Sequence, residues 1–177
     1  MGIVKSRKNS LVAAFAILIA GLLPSSAHAG DLITELDDVV VAMHDYSVLN
    51  GQITTKATVA SVQSTVSKMN TQLFAIKTAL STFDADVTKN WTYLSVKANT
   101  TYPARMTLRQ FDLTASAWYN YEVSAQKQIA NCYKNVATSR TCVIKWHTKN
   151  KKAELARYSK VTDQLTIIEK WRTSVGR

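Results

Sequence analysis

Few side chains of this 177-residue chain have types and spacings that could carry chemistry. His44 lies beside Asp45 and about a turn or two from Asp37 and Asp38. A histidine with a carboxylate can be half of a metal site or an oriented general base. On an acidic helix it is more simply a surface group, and that is the reading adopted. His147 follows Trp146, and Met43 with His147 could ligate haem inside a bundle. A methionine at helical spacing, however, reads as core. Asp37–Asp38 and Asp84–Asp86 could be imagined as an acid and a base. Neither pair has an obvious cleft on a helix, so both read as solvated. Glu122 interrupts an apolar seam and is placed at its edge, with pairing to a base of the last helix as the alternative.

Many enzyme signatures are excluded by composition. Phosphate-cradling loops and nucleophile elbows need several glycines close together. Beyond residue 29 the glycines are Gly30, Gly51 and Gly176, far apart. There is no HExxH, CxxCH or EF-hand pattern. The expectation is a non-enzymatic chain with no catalytic residue, no metal site and no cofactor.

Cys132 and Cys142 are the only cysteines. The first residues suggest which compartment they reach. Lys5, Arg7 and Lys8 form a positive stretch, Leu11 to Leu23 an uncharged and mostly apolar one, and Ala27-His28-Ala29 a small-residue cleavage pattern. That order reads as a signal peptide, residues 1–29, cut before Gly30. The apolar run is shorter than the ~20 residues of a spanning helix. The mature chain is then periplasmic or secreted, and soluble, since no second long apolar stretch follows. In an oxidising compartment two cysteines this near in sequence favour a disulfide. A redox or metal pair lacks its usual close spacing here.

The formal net charge is +10, and loses three bases with residues 1–29. What remains is asymmetric. Residues 30–90 hold seven acids and four bases, and residues 91–177 five acids and fifteen bases. Such a balance suits an anionic partner without requiring one.

The elements that would position these groups are helical. Between Asp31 and Val175 there is one glycine, Gly51, and one proline, Pro103. Sheet-rich domains rarely do without such breakers. The expected fold is all-α: an elongated helical bundle forming a single domain, residues 30–177, with helices near 31–49, 52–98, 104–132 and 143–175. The clearest signal is a heptad seam: Val59, Val62, Val66, Met69, Leu73, Ile76, Leu80, Phe83 and Val87, at alternating spacings of three and four. Unbroken from 52 to 98, that helix would be on the order of 70 Å long. Its flanking positions carry mostly amides, hydroxyls and a methyl, so the seam is read as packing within one chain, with a homo-oligomeric coiled coil as the alternative. Leu108, Phe111, Ala115, Trp118, Ala125, Ile129 and Cys132 continue the rhythm, as do Tyr158, Val161, Leu165, Ile168, Trp171 and Val175. The disulfide would staple the corner of this C-terminal hairpin.

Lys145, Lys149, Lys152 and Lys160 fall within about an 80° arc of the last helix, opposite its apolar side. This stripe could grip an anionic surface, lipid or polysaccharide, or merely solubilise the chain. Nucleic acid is not expected, because aromatics are not interleaved along it. Trp91, Tyr93, Tyr102, Trp118, Tyr119, Tyr121, Trp146 and Trp171 exceed what one small core obviously needs, so some could anchor a protein partner. The function expected is that of an exported interaction protein, a structural or adaptor component of a bacterial cell-envelope or secretion/conjugation assembly. The alternatives are a periplasmic holdase-type chaperone with a coiled-coil arm, or a protein that binds anionic surfaces. In outline the plan is similar to small pilus-associated subunits of type IV secretion systems and to the basic tentacled holdase of the periplasm, at the level of fold class alone.

Overall fold

A computed structural model describes residues 30–98 and 100–176. The proposed signal peptide lies outside them. Five helices follow in order: α1 (Gly30–Gly51), α2 (Val59–Lys89), the short α3 (Trp91–Val96), α4 (Arg105–Cys132) and α5 (Ser139–Ser174), with a 3₁₀ turn at Val136–Thr138 before the last. Among the described residues there is no strand, only an isolated bridge between Ala98 and Tyr102. The protein is an all-α bundle.

The helix expected over 52–98 is divided. Residues 52–58 are a loop, because Thr54, Thr55 and Thr58 are weak helix formers and Thr58 is better used as a cap. Its backbone is extended, and its hydroxyl accepts from the Ser61 N–H at 3.1 Å. Such a cap contributes about 1 kcal/mol. At the far end Asn90 leaves the helical region, at φ −95° and ψ 11°, and separates α2 from α3. The 31 residues of α2 therefore span about 46 Å rather than 70 Å. The last helix opens earlier than 143, at Ser139, and Ala104 rather than Pro103 immediately precedes α4.

The topology is up-down-up-down. Gln72 donates to Asp45, Phe83 meets Phe111 edge-to-face at 5.5 Å, and Trp118 meets Tyr158 at 5.8 Å. These pairs set α1 against α2, α2 against α4 and α4 against α5, each antiparallel. The fourth side is different. The backbones of α1 and α5 stand further apart than those of the other neighbours. Long side chains bridge them: Arg172 to Asp37, Tyr158 to Ser47, and His147 and Glu154 to Asn50.

One apolar cluster runs through all four long helices. The seam residues from Val62 to Val87 are all buried in it. Val59 is not: it is 41% exposed, because it is the first residue of α2, at the bundle rim. Each fully buried Leu, Ile or Phe here contributes roughly 1.5–3 kcal/mol. At one end the Cys132–Cys142 disulfide joins α4 to α5, with Cα atoms 5.5 Å apart. Arg140 clamps the same end, its guanidinium donating to the carbonyls of Thr55 and Ala57 in the 52–58 loop. The other end gathers the start of α1, the end of α2, all of α3, the start of α4 and the end of α5.

Candidate functional site

The chemistry-bearing groups fall into two places, a polar layer inside the bundle and a basic face outside it. The layer forms where the apolar rhythms of α4 and α5 lapse at the same height. On α4 the lapse holds Glu122 and Gln126, and on α5 it holds His147 and Glu154. Tyr46 and Asn50 of α1 complete the layer, and Met69 of α2 closes it below. A cavity of about 10 Å³ lies among them.

Glu122 is not at the seam's edge. It is 3% exposed, because α1 brings Tyr46 across the bundle to meet it. The Tyr46 hydroxyl donates to Glu122 Oε2 at 2.7 Å and accepts from Gln126 Nε2 at 3.1 Å. Glu122 Oε1 and Gln126 Oε1 have no hydrogen-bond partner among the described residues. Burial, then the nearby carboxylate of Glu154, pushes Glu122 up to about 8. The Tyr46 hydrogen bond and Arg157 pull the other way without reversing this. Tyr46 is itself raised, by burial and then by Glu122.

His147 is buried too, its Nε2 2.7 Å from Asn50 Oδ1. That geometry suits a neutral ring with its proton on Nε2. Burial, then the charge of Lys151, holds His147 down to about 4. The Asn50 amide also donates to Glu154, which burial raises. Tyr121 and Arg157 roof the layer, with the guanidinium 4.2 Å above the ring. Chemically the layer holds protons near neutral pH: one carboxyl largely protonated, one imidazole neutral.

No group of three or more metal-ligating side chains occurs among the described residues. Met43 is 1% exposed in the core, not paired with His147. The carboxylate pairs expected to be solvated are each half engaged: Asp37 with Arg172, and Asp84 with Arg109, which also bonds Asp112 at 3.2 Å. His44 is half-buried on α1, away from the polar layer.

Lys145, Lys149, Lys152 and Lys160 are all exposed on one side of α5. None of them forms an ion pair among the described residues. Lys151, also exposed, adds to the charge at one margin. The face continues to Leu155, 46% exposed. Of the aromatics considered as partner anchors, Tyr102, Trp118 and Trp171 are buried, and Trp91, Tyr119 and Trp146 pack on the core. Tyr93 stands out at 45% exposure. The aromatic surplus is thus mostly absorbed by the core and by the wide α1–α5 side.

Compared with protein-family models, curated proteins and solved structures, the chain matches none. Any reading of function rests on its own residues.

Proposed function

We propose that this chain is an exported, non-enzymatic interaction protein, a structural or adaptor component of a bacterial envelope or secretion assembly. Its basic α5 face engages an acidic surface of a protein partner. The observation that carries this reading is the division of labour in the bundle. The heptad seam from Val62 to Val87 is buried within the chain, while Lys145, Lys149, Lys152 and Lys160 stand exposed and unpaired along one face. Clustered bases of one sign steer association and fix register with an acidic partner. The disulfide fits an oxidising compartment, which the proposed signal peptide would reach. Among the described residues no helix is long and apolar enough to cross a membrane. The holdase alternative drew on a free coiled-coil arm, and α2 lies packed inside the bundle.

The test is a photo-crosslinking amino acid placed in intact cells at position 149 or 156, on the basic face, and at position 38, on the outer side of α1. A discrete adduct from α5, absent from position 38 and abolished by Lys145→Glu with Lys152→Glu, is the expected result. Equal labelling from both helices, or none from α5, would overturn the reading.

A further inference from the structure

At the end of the bundle away from the disulfide, the chain exposes apolar groups within a stretch that has no acid. Residues 87–111 contain Lys89, Lys97, Arg105 and Arg109 and neither Asp nor Glu. Arg109 is engaged by Asp84 and Asp112. Lys89 and Lys97 are exposed, and Arg105 lies 4.8 Å over the Trp91 ring. Among them stand Val96, 75% exposed, Met106, 65%, and Tyr93, whose ring rests edge-on against Tyr102 at 5.9 Å. Of the acids on the neighbouring helices, Asp37 pairs with Arg172 and Glu169 lies 3.4 Å from the same guanidinium, while Glu35, Asp38 and Asp86 stand outside the 87–111 stretch.

We propose that this end of the bundle docks on an anionic lipid bilayer, with Val96, Met106 and Tyr93 entering the interface and Lys89, Lys97 and Arg105 meeting the headgroups. Apolar tips suit the acyl boundary, Trp and Tyr rings the headgroup level, and bases an anionic leaflet. A protein partner would draw on the apolar groups, but Lys89, Lys97 and Arg105 set among them within the acid-free 87–111 stretch favour an anionic surface. This end of the bundle is separate from the α5 face. Lys152 lies twenty residues along α5 from Arg172, roughly 30 Å away. That exceeds the Debye length of about 8 Å at physiological salt.

The experiment is co-sedimentation of the chain from Gly30 onward with phosphatidylcholine vesicles, either alone or carrying phosphatidylglycerol at roughly a third of the lipid. Binding to the anionic vesicles only is expected. Val96→Asp with Met106→Asp should weaken it by roughly tenfold or more, and Lys89→Gln with Lys97→Gln by several-fold. All four side chains are exposed, so unchanged circular dichroism is the check on folding. Lys149→Glu with Lys152→Glu should leave binding within about threefold, since it touches only the α5 face. No binding by the parent at low salt would overturn the proposal. Full binding by the Val96/Met106 variant would also do so. Loss confined to the α5 variant would seat the lipid on the basic face instead, while leaving the crosslinking result above unaffected.

Discussion

The hydroxyl of Tyr46 on α1 reaches diagonally across the bundle and donates to Glu122 Oε2 on α4 at 2.7 Å. The same ring meets Trp118 edge-on at 5.4 Å. One side chain thus joins the aromatic core to the polar layer. This relationship holds an ionisable group where ionisation is costly. A buried carboxyl surrounded by Tyr46, Gln126, Glu154 and Met69 has Arg157 as its nearest cationic relief, and that side chain is half-spent on the Tyr121 ring.

Stability should therefore fall as pH rises above neutrality. Glu122 moves from 4.5 up to about 8, so the folded chain holds a proton that the unfolded chain has released. Its contribution is complete below 4.5 and lost as pH rises through 8. His147 moves from 6.5 down to about 4, so its contribution is complete above 6.5 and lost as pH falls through 4. The slopes oppose each other between 4.5 and 6.5, and from 6.5 up to about 8 that of Glu122 remains, after which it levels off. The expected loss in that window is at most about 1.4 kcal/mol per pH unit. Glu122→Gln keeps the acceptor for Tyr46 and carries no charge. Urea midpoints of this variant should be flat over the same range, and a parent-like slope would show that another group is responsible.

The seam on α2 was legible because its period alone distinguishes a buried helix face, and eight of its nine positions are core. Its start was not. Period says nothing of where the neighbouring helices end, so it extends the helix over the 52–58 loop and counts Val59, the exposed first residue of α2, as core. The depth of Glu122 was missed for a related reason: one helix's rhythm cannot tell an edge from a centre. A signal did exist on α5. Glu154 stands in register between His147 and Tyr158, so two helices each carry an acid at a core position. Read together, those lapses predict a buried polar layer. The partner of Glu122, Tyr46, comes from a helix 76 residues earlier, which no local pattern reveals.

Reducing the Cys132–Cys142 bond, ten residues apart, should cost about 3 kcal/mol, the chain entropy regained by so small a loop. The folded bundle should persist, because Arg140 still clamps the 52–58 loop from the same corner. Denaturation in the presence and absence of reductant measures this. A Cys132→Ser, Cys142→Ser double variant that unfolds at the same urea concentration as the oxidised parent would contradict it.

Arg172→Ala should be among the most damaging changes outside the apolar core, by roughly 3–5 kcal/mol. The guanidinium is 8% exposed and bonds Asp37 across the side where α1 and α5 lie furthest apart. Its removal leaves a carboxylate that burial already raises, without its counter-charge. Asp37→Asn with Arg172→Met removes both charges together and should recover much of the loss. A double-mutant cycle on thermal unfolding separates this coupling from lost packing.

The seam itself can be tested by contrasting two of its residues. Ile76 is fully buried between α1 and α4, so Ile76→Ala should cost about 2–5 kcal/mol through lost transfer energy and the cavity left behind. Val59 has the same heptad role on paper but is 41% exposed, so Val59→Ala should change stability by less than about 0.5 kcal/mol. Because the buried positions are used within the chain, the protein should also elute as a monomer in light scattering, with or without reductant. If α2 instead zipped to a second copy through the whole repeat, both substitutions would destabilise the protein, and the midpoint would rise with protein concentration. A concentration-independent midpoint with only Ile76→Ala impaired ties the repeat to folding within one chain rather than to assembly.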